Sequence, residues 1–208
     1  MDPDDAMSGM FDPATLHFYA EQAPVYAASG AGGRNRFLDA FLDRIRPESR
    51  ILDLGCGGAI DASAMLDRGF DVDAIEASPA LAAIASRRLG RTVAVMRFDE
   101  LTARNEYDAV WASASLIHVP RPALPSILRK VYAALRPEGV HFATYKSGGK
   151  EGRDSAGRYY NYPSAAELRS WYLASAPWTH MSVHEYVGGG FDSGDGPWLA
   201  IEARRAAD

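Results

Sequence analysis

Short apolar runs alternate with helical stripes along most of the chain. The runs have the length and side-chain content of buried strands, and they predict strands at residues 51–54, 71–76, 92–96, 107–112 and 140–145. Between them, apolar residues recur at helical spacing, most clearly over residues 37–45 and 124–135. This alternation favours a parallel sheet with helices on both faces.

The last part of the chain follows a different pattern. Ser164-Ala-Ala-Glu167 has the form of a capping box and predicts the start of a helix. Two apolar runs then follow at residues 180–187 and 198–203 with no helical stripe between them, which indicates antiparallel strands. The predicted fold class is therefore α/β, with a doubly wound, mostly parallel, seven-stranded sheet that has an antiparallel terminal strand.

The first part of the chain is expected to form a lid. We predict that residues 1–12 are mobile and that residues 13–208 form one domain, of which residues 13–33 are the lid. A helical or partly helical segment from Pro13 to Ala28 carries the aromatic residues, and a flexible segment, Ser29-Gly-Ala-Gly-Gly33, follows it. Folded over the sheet, this segment could cover a bound ligand.

A glycine turn follows the first strand and predicts a nucleoside pocket. Gly55, Gly57 and Gly58 let the chain turn sharply and let a ligand lie against bare backbone. Glu76 ends the second strand, 19 residues after Gly57, where its carboxylate can accept hydrogen bonds from both hydroxyls of a ribose. The sixth position of the turn is Ile60 instead of the glycine expected for a dinucleotide site.

These residues resemble the class I S-adenosylmethionine-dependent methyltransferases. The resemblance is carried by Leu52-Asp-Leu-Gly-Cys-Gly57, Glu76-Ala-Ser-Pro79, Tyr107-Asp-Ala-Val-Trp-Ala112 and Leu135-Arg-Pro-Glu-Gly139, in the family's order. It implies a Rossmann-like fold, S-adenosyl-L-methionine as cofactor and S-adenosyl-L-homocysteine as product. The cofactor-binding residues that it implies are Tyr26, Asp53, Leu54, Gly55, Cys56, Gly57, Glu76, Ala77, Phe98, Asp99 and Ser113.

Several of these assignments have a structural alternative. Asp53 could cap the neighbouring turn, Phe98 could be ordinary core, and Cys56 could simply be small enough for the turn. The family often has an acid before the aromatic residue that ends the third strand, whereas this chain has Arg97 there. Arginine cannot accept a hydrogen bond, so the adenine amine would be served by Asp99, by backbone carbonyls or by water.

The predicted chemistry centres on His118, which follows the fourth strand. His118 could act as a general base towards the acceptor, or it could only fix its loop or touch the cofactor. The candidate substrate-binding residues are Tyr19, Tyr145, Arg153, Arg158 and Tyr159. Their chemistry suggests an anionic or oxygen-rich acceptor, although both arginines could also be solvated loop charges.

Composition limits the partners and the compartment. The 208 residues are 47% hydrophobic and carry a net charge of −5, which favours one compact domain and disfavours binding to nucleic acid. A single cysteine and the lack of a signal peptide or membrane span predict a cytoplasmic protein without membrane partners. The five histidines are scattered, so no metal site is predicted.

The predicted function is metal-independent methyl transfer from S-adenosylmethionine to a small molecule. Alignment and desolvation of the acceptor would supply most of the acceleration. The later half of the chain is similar to bacterial tellurite-resistance methyltransferases, which makes a chalcogen oxyanion one possible acceptor. The alternatives are a non-catalytic S-adenosylmethionine sensor or partner subunit, and a protein-modifying methyltransferase. No oligomeric state is predicted.

Overall fold

A computed structural model describes residues 9–30, 33–191 and 193–208 of the protein. Most of the segment predicted to be mobile, residues 1–8, lies outside the described residues, as do Ala31 and Gly32 of the predicted flexible loop. The first helix begins at Pro13. Asp12 caps it by accepting a hydrogen bond from the Thr15 backbone N–H at 2.7 Å.

The central sheet has seven strands in the order β3-β2-β1-β4-β5-β9-β8. Strands β1 to β5 are parallel, whereas β9 runs antiparallel to both β5 and β8. The predicted α/β class and the antiparallel terminal strand are thus confirmed. The strands are β1 (Arg50–Leu54), β2 (Asp71–Glu76), β3 (Ala94–Val95), β4 (Tyr107–Ala112), β5 (Leu135–Lys146), β8 (Trp178–Gly190) and β9 (Ser193–Arg205).

Helices cover both faces of this sheet and bury two apolar clusters. Helices α3, α4 and α5 contribute Leu38, Met65 and Ala82 to one cluster, while α6 and α7 contribute Leu128 and Leu168 to the other. The helices are α1 (Pro13–Glu21), α2 (Ala23–Ala28), α3 (Leu38–Leu42), α4 (Ile60–Asp67), α5 (Pro79–Leu89), α6 (Leu124–Ala134) and α7 (Ala165–Ser175). Chain order reverses between β1 and β4, which opens a crevice at the carboxyl ends of these strands.

Three elements differ from their predicted extents. The helix predicted over residues 37–45 is reduced to α3, because its last turns tighten into bonds such as that from the Ile45 N–H to the Leu42 carbonyl. The third strand shrinks to Ala94–Val95, an exposed pair at the sheet edge. The fifth strand starts earlier, at Leu135, and an irregularity in its pairing with β4 accommodates the Pro137-Glu-Gly139 turn.

The polar loop after β5 contains a small hairpin that the sequence pattern did not predict. Strands β6 (Gly152–Arg153) and β7 (Tyr159–Tyr160) pair antiparallel. The turn between them is stabilised by Asp154, whose carboxylate accepts from the backbone N–H of Ala156 at 3.0 Å and of Arg158 at 2.9 Å. This hairpin lies beside the crevice and faces the lid.

His141 gives the fold a predictable sensitivity to acid. Its side chain is fully buried in β5, where Nδ1–H donates to the Val110 carbonyl at 3.0 Å and Nε2 accepts from the Tyr172 hydroxyl at 2.9 Å. Burial lowers the pKa of His141 from 6.5 to about 4. As the pH falls from 6.5 towards 4, the unfolded chain therefore takes up a proton that the folded protein does not, and stability is lost.

Between pH 7 and pH 4.5, this histidine should account for a loss of about 2 kcal/mol in the free energy of unfolding. Urea titrations at the two pH values measure this loss. The free energy of unfolding of His141→Gln should fall by about 2 kcal/mol less than that of the wild type. The matched control is His17→Gln, which removes an exposed histidine on α1 and should keep the wild-type difference. Equal differences for all three proteins would contradict the prediction.

Candidate cofactor and acceptor site

The glycine turn lies at the bottom of the crevice, directly after β1. Gly55 has φ +79°, and a Cβ built on it would lie 2.7 Å from the Ser115 Cβ and 3.1 Å from the Phe98 ring. Gly57 has φ +53°, and a Cβ there would lie 3.2 Å from the Tyr26 ring. Both positions combine a left-handed backbone with close neighbours, so glycine is required at each.

Glu76 presents a buried carboxylate beside this turn. One oxygen accepts from the Gly57 backbone N–H and the other accepts from the Ser78 backbone N–H, each at 2.9 Å. Burial raises the pKa of Glu76 above its usual value, while these two bonds act in the opposite direction. Each oxygen keeps a further lone pair, so the carboxylate can accept two more hydrogen bonds from a ligand.

Asp53 lies behind the turn and does not line the pocket. It is 2% exposed, and the Ala62 backbone N–H in the first turn of α4 acts to lower its pKa. Burial and the nearby charges of Asp61 and Glu76 raise its pKa well above the usual value. This geometry favours the capping alternative for Asp53. Cys56 is partly buried, and this desolvation raises the pKa of its thiol and makes it a weak nucleophile.

The apolar end of the crevice is formed by Ala77 and Phe98. Asp99 lies next to Phe98 and is held by Arg97, whose Nε and Nη2 donate to the two carboxylate oxygens at 3.0 Å each. The Arg97 guanidinium also lies 4.6 Å from the centre of the Phe11 ring. Arg97 therefore positions an acid at this end of the crevice, and Asp99 is the available side-chain acceptor for an amine there.

Helices α1 and α2, which belong to the segment predicted as a lid, lie over the crevice. The Tyr19 and Tyr26 rings stand edge to face at 5.4 Å, with Tyr26 over Gly57. Two adjoining cavities of about 90 and 50 Å³ remain below the lid. The larger is lined by Thr15, Leu16, Tyr19, Tyr26, Gly55, Gly57, Glu76, Ala77, Leu81, Phe98, Ser113, Ala114, Ser115 and His118.

The lid is fastened to the β6–β7 hairpin by polar contacts. Asp12, which caps α1, forms an ion pair with Arg153 through bonds of 2.5 and 3.0 Å. The Thr15 hydroxyl accepts from the Tyr159 backbone N–H at 2.9 Å. Two predicted substrate contacts are therefore located elsewhere: Arg153 lies at the exposed edge of the lid, and the Tyr159 hydroxyl donates to Glu151 at 2.6 Å, outside the pocket.

His118 lies where the lid meets the sheet. Its Nδ1 is 2.6 Å from the Tyr159 carbonyl, which can only accept, so Nδ1 carries the proton. Its Nε2 therefore accepts from the Tyr19 hydroxyl at 3.0 Å. Burial lowers the pKa of His118 to about 4, and the charges of Arg158 and Lys146 act in the same direction. At neutral pH, His118 is an uncharged acceptor with its lone pair directed to the lid.

The remaining predicted substrate contacts separate into two groups. Arg158 is 1% exposed and lies under the lid, with its guanidinium 4.7 Å from the centre of the Phe18 ring. Tyr145, in contrast, is fully buried in the core, where its hydroxyl pairs with that of Tyr172 at 3.3 Å, and it does not reach the pocket. Residues 140–145 of β5 are buried without interruption, so the Tyr145 side chain packs in the core.

Sequence reasoning missed a polar network beside the turn. Asp61 accepts from the Asn35 backbone N–H at 2.9 Å and from the Trp111 indole at 2.8 Å, and it is 7% exposed. The Asn35 side chain donates to the Ser113 hydroxyl at 2.8 Å. Ser113, a predicted cofactor contact, is thereby tied to the segment after the lid. An acid in the first turn of a helix was the only signal for Asp61.

Among residues 9–30, 33–191 and 193–208, no three histidine, cysteine or acidic side chains are placed to hold a metal ion. Within the same ranges, no helix is long and apolar enough to cross a bilayer.

Comparisons with known proteins agree with this architecture. The chain is similar to the ubiquinone biosynthesis O-methyltransferase of Pseudomonas savastanoi pv. phaseolicola, with 33% identity over 103 residues, 46% of this chain and 44% of that protein. The corresponding enzyme of Xanthomonas campestris is 35% identical over 46% of this chain and 42% of its own length. The chain thus matches less than half the length of these curated relatives.

Solved structures share the fold over nearly the whole chain. The 1,6-didemethyltoxoflavin-N1-methyltransferase of Burkholderia thailandensis superposes with a TM-score of 0.64 and 22% identity, over 98% of this chain and 86% of that one. The [4+2]-cyclase SpnF superposes with a TM-score of 0.72 and 17% identity, over 96% and 99%. A family model described as a methyltransferase domain matches residues 19–185. The protein therefore belongs to the class I S-adenosylmethionine-dependent methyltransferases.

Proposed function

We propose that the protein transfers a methyl group from S-adenosylmethionine to a small-molecule acceptor without a metal ion. One observation carries the proposal: a single cavity joins the Glu76 carboxylate and the glycine turn to His118, and the lid tyrosines line it. A covered cavity of this kind suits a small acceptor better than a protein side chain or a nucleic acid, because either polymer would have to pass the lid.

The residues of the crevice fit the cofactor. Glu76 would accept from the ribose hydroxyls, and the backbone from Leu54 to Gly57, with Tyr26 and Ser113, would surround the methionine part. Ala77 and Phe98 would flank the adenine, and Asp99 could accept a hydrogen bond from the adenine amine. Asp53 would act through the turn that it caps. The free carboxylate lone pairs of Glu76 and the side-chain-free surface of the turn support this arrangement.

The lid would have to open before the cofactor enters. Cavities of about 90 and 50 Å³ are smaller than the roughly 300 Å³ of typical ligand pockets. Moving Tyr26 away from Gly57 would extend the larger cavity along the turn. The lid would close again over cofactor and acceptor together, which would exclude water from the reacting atoms.

The chain would promote the reaction mainly by alignment. When bound, S-adenosylmethionine supplies a methyl group on a cationic sulfur, and the acceptor's lone pair forms the new bond to carbon as the C–S bond breaks to a neutral thioether. When an O–H or N–H group of the methyl acceptor displaces the Tyr19 hydroxyl, His118 Nε2 would accept the proton of that group. An acceptor that is already deprotonated would need only its position fixed.

Binding and turnover test this function separately. Calorimetry should detect one S-adenosylmethionine per chain, and a screen of phenols, amines, carboxylates and chalcogen oxyanions should release S-adenosylhomocysteine with at least one of them. Binding without turnover across the screen would favour a sensor or partner subunit. Turnover of a protein substrate alone would favour a protein-modifying enzyme, and the absence of binding would contradict the shared proposal.

A further inference from the structure

The hairpin arginine, Arg158, has one donor group that the fold leaves unused. Its Nε and Nη2 bond to the Asp154 carboxylate at 2.8 and 2.7 Å, and Nη2 also donates to the Phe191 carbonyl at 3.1 Å. The third nitrogen, Nη1, is buried and has no hydrogen-bond partner among the described residues. Buried charged donors are nearly always satisfied, so an unsatisfied one indicates a missing partner.

Aromatic side chains hold Arg158 at a fixed place next to the acceptor end of the site. Its guanidinium lies 4.7 Å from the Phe18 ring centre, 5.6 Å from that of Tyr160 and 5.7 Å from that of Phe191. Tyr160 in turn stands 4.7 Å from His118, ring centre to ring centre. Tyr160 therefore packs beside both Arg158 and the His118 ring.

A second cation converges on the same tyrosine. The Lys146 ammonium, at the end of β5, lies 4.5 Å from the Tyr160 ring centre. Both cations act to lower the pKa of His118, whereas Asp154 acts to raise it.

A purely structural role explains only part of this arrangement. Pairing with Asp154 would fix the hairpin turn, and stacking on Phe18 would hold the lid. Neither contact uses Nη1, and an uncharged side chain could pack under Phe18 without burying an unsatisfied donor. A planar guanidinium with one free edge is suited to a carboxylate or phosphate oxygen.

We propose that Arg158 binds an anionic group of the methyl acceptor, either a carboxylate or a phosphate-like oxyanion, through the unused Nη1. This inference rests on the proposed function and narrows it to acidic acceptors. The group that receives the methyl would lie at the His118 end of the larger cavity, and the anionic group would lie under the lid beside Tyr160.

Anion binding can be tested without turnover. The complex with S-adenosylhomocysteine is titrated with benzoate, with phosphate and, as a neutral probe, with benzyl alcohol. The wild type should bind at least one of the anions more tightly than the alcohol, and Arg158→Gln should weaken that binding tenfold or more while affinity for S-adenosylhomocysteine stays unchanged. The control is Arg136→Gln, which removes an arginine paired with Asp108 at 2.7 Å at the opposite end of β5 and should bind the anion as the wild type does.

The outcomes separate the two proposals. If S-adenosylhomocysteine does not bind, the proposed function fails. If it binds but neither anion does, or if both anions bind Arg158→Gln as tightly as the wild type, the acidic-acceptor inference is overturned and the proposed function stands. Should Arg158→Gln fail to fold, Arg158→Lys replaces it and should weaken anion binding several-fold. With a turned-over acidic acceptor, Arg158→Gln should raise KM more than it lowers kcat.

Discussion

Replacing Glu76 by alanine should weaken S-adenosylmethionine binding by about tenfold to a hundredfold. The expected loss corresponds to roughly 1.5 to 3 kcal/mol, the value of hydrogen bonds to a charged group. The reason is geometric: two backbone donors fix the orientation of the carboxylate, so its remaining lone pairs are presented to the ribose hydroxyls without further ordering. Calorimetry at neutral pH measures the change directly.

Two controls separate binding from folding in this experiment. Glu185→Ala removes an exposed acid on β8 and should bind the cofactor as the wild type does. The thermal midpoint of Glu76→Ala shows whether loss of the bonds to Gly57 and Ser78 has disturbed the turn. A folded Glu76→Ala with wild-type affinity would remove Glu76 from the cofactor site.

A methyl group at Gly55 is expected to destabilise the fold by about 2 to 5 kcal/mol and to abolish cofactor binding. About 1 to 2 kcal/mol comes from placing an L-residue at φ +79°. The rest comes from overpacking, because the new Cβ would meet the Ser115 Cβ at 2.7 Å and the Phe98 ring at 3.1 Å. Urea unfolding of Gly55→Ala gives the total.

Gly69→Ala isolates the backbone part of this effect. Gly69 has φ +84°, close to that of Gly55, but a Cβ there meets nothing within 4 Å. We expect a cost of about 1 to 2 kcal/mol for this variant and unchanged cofactor binding. If Gly55→Ala and Gly69→Ala lost the same free energy of unfolding, the close contacts around Gly55 would contribute nothing to the loss.

Much of the fold was predictable because local signals and burial agree along the parallel strands. Strands β1, β2 and β4 are apolar runs of the expected length, and the capping box at Ser164 starts α7 as its sequence implies. The β6–β7 hairpin was not predicted because strands of two residues carry no periodicity, and its turn depends on Asp154, which reads as an ordinary loop residue.

The candidate site was predictable only where sequence spacing determines position. Gly57 and Glu76 meet because one strand–helix–strand unit joins them. Asn35 reaches Asp61 across a distance in sequence that no motif spans, and the place of Arg158 depends on how the lid packs against the hairpin. Tyr145 and Arg153 lie near predicted elements, but sequence position does not determine the direction of their side chains. Tyr145 faces the core, and Arg153 lies at the exposed edge of the lid.

The place of β9 in the sheet has a consequence for the order of assembly. Strand β9 lies between β5 and β8, and within the described residues it is the sole sheet neighbour of β8. During synthesis β8 is made first, yet it reaches the rest of the sheet through β9. The β8–β9 hairpin is therefore expected to dock late and as one unit, after the parallel strands that carry the glycine turn have formed.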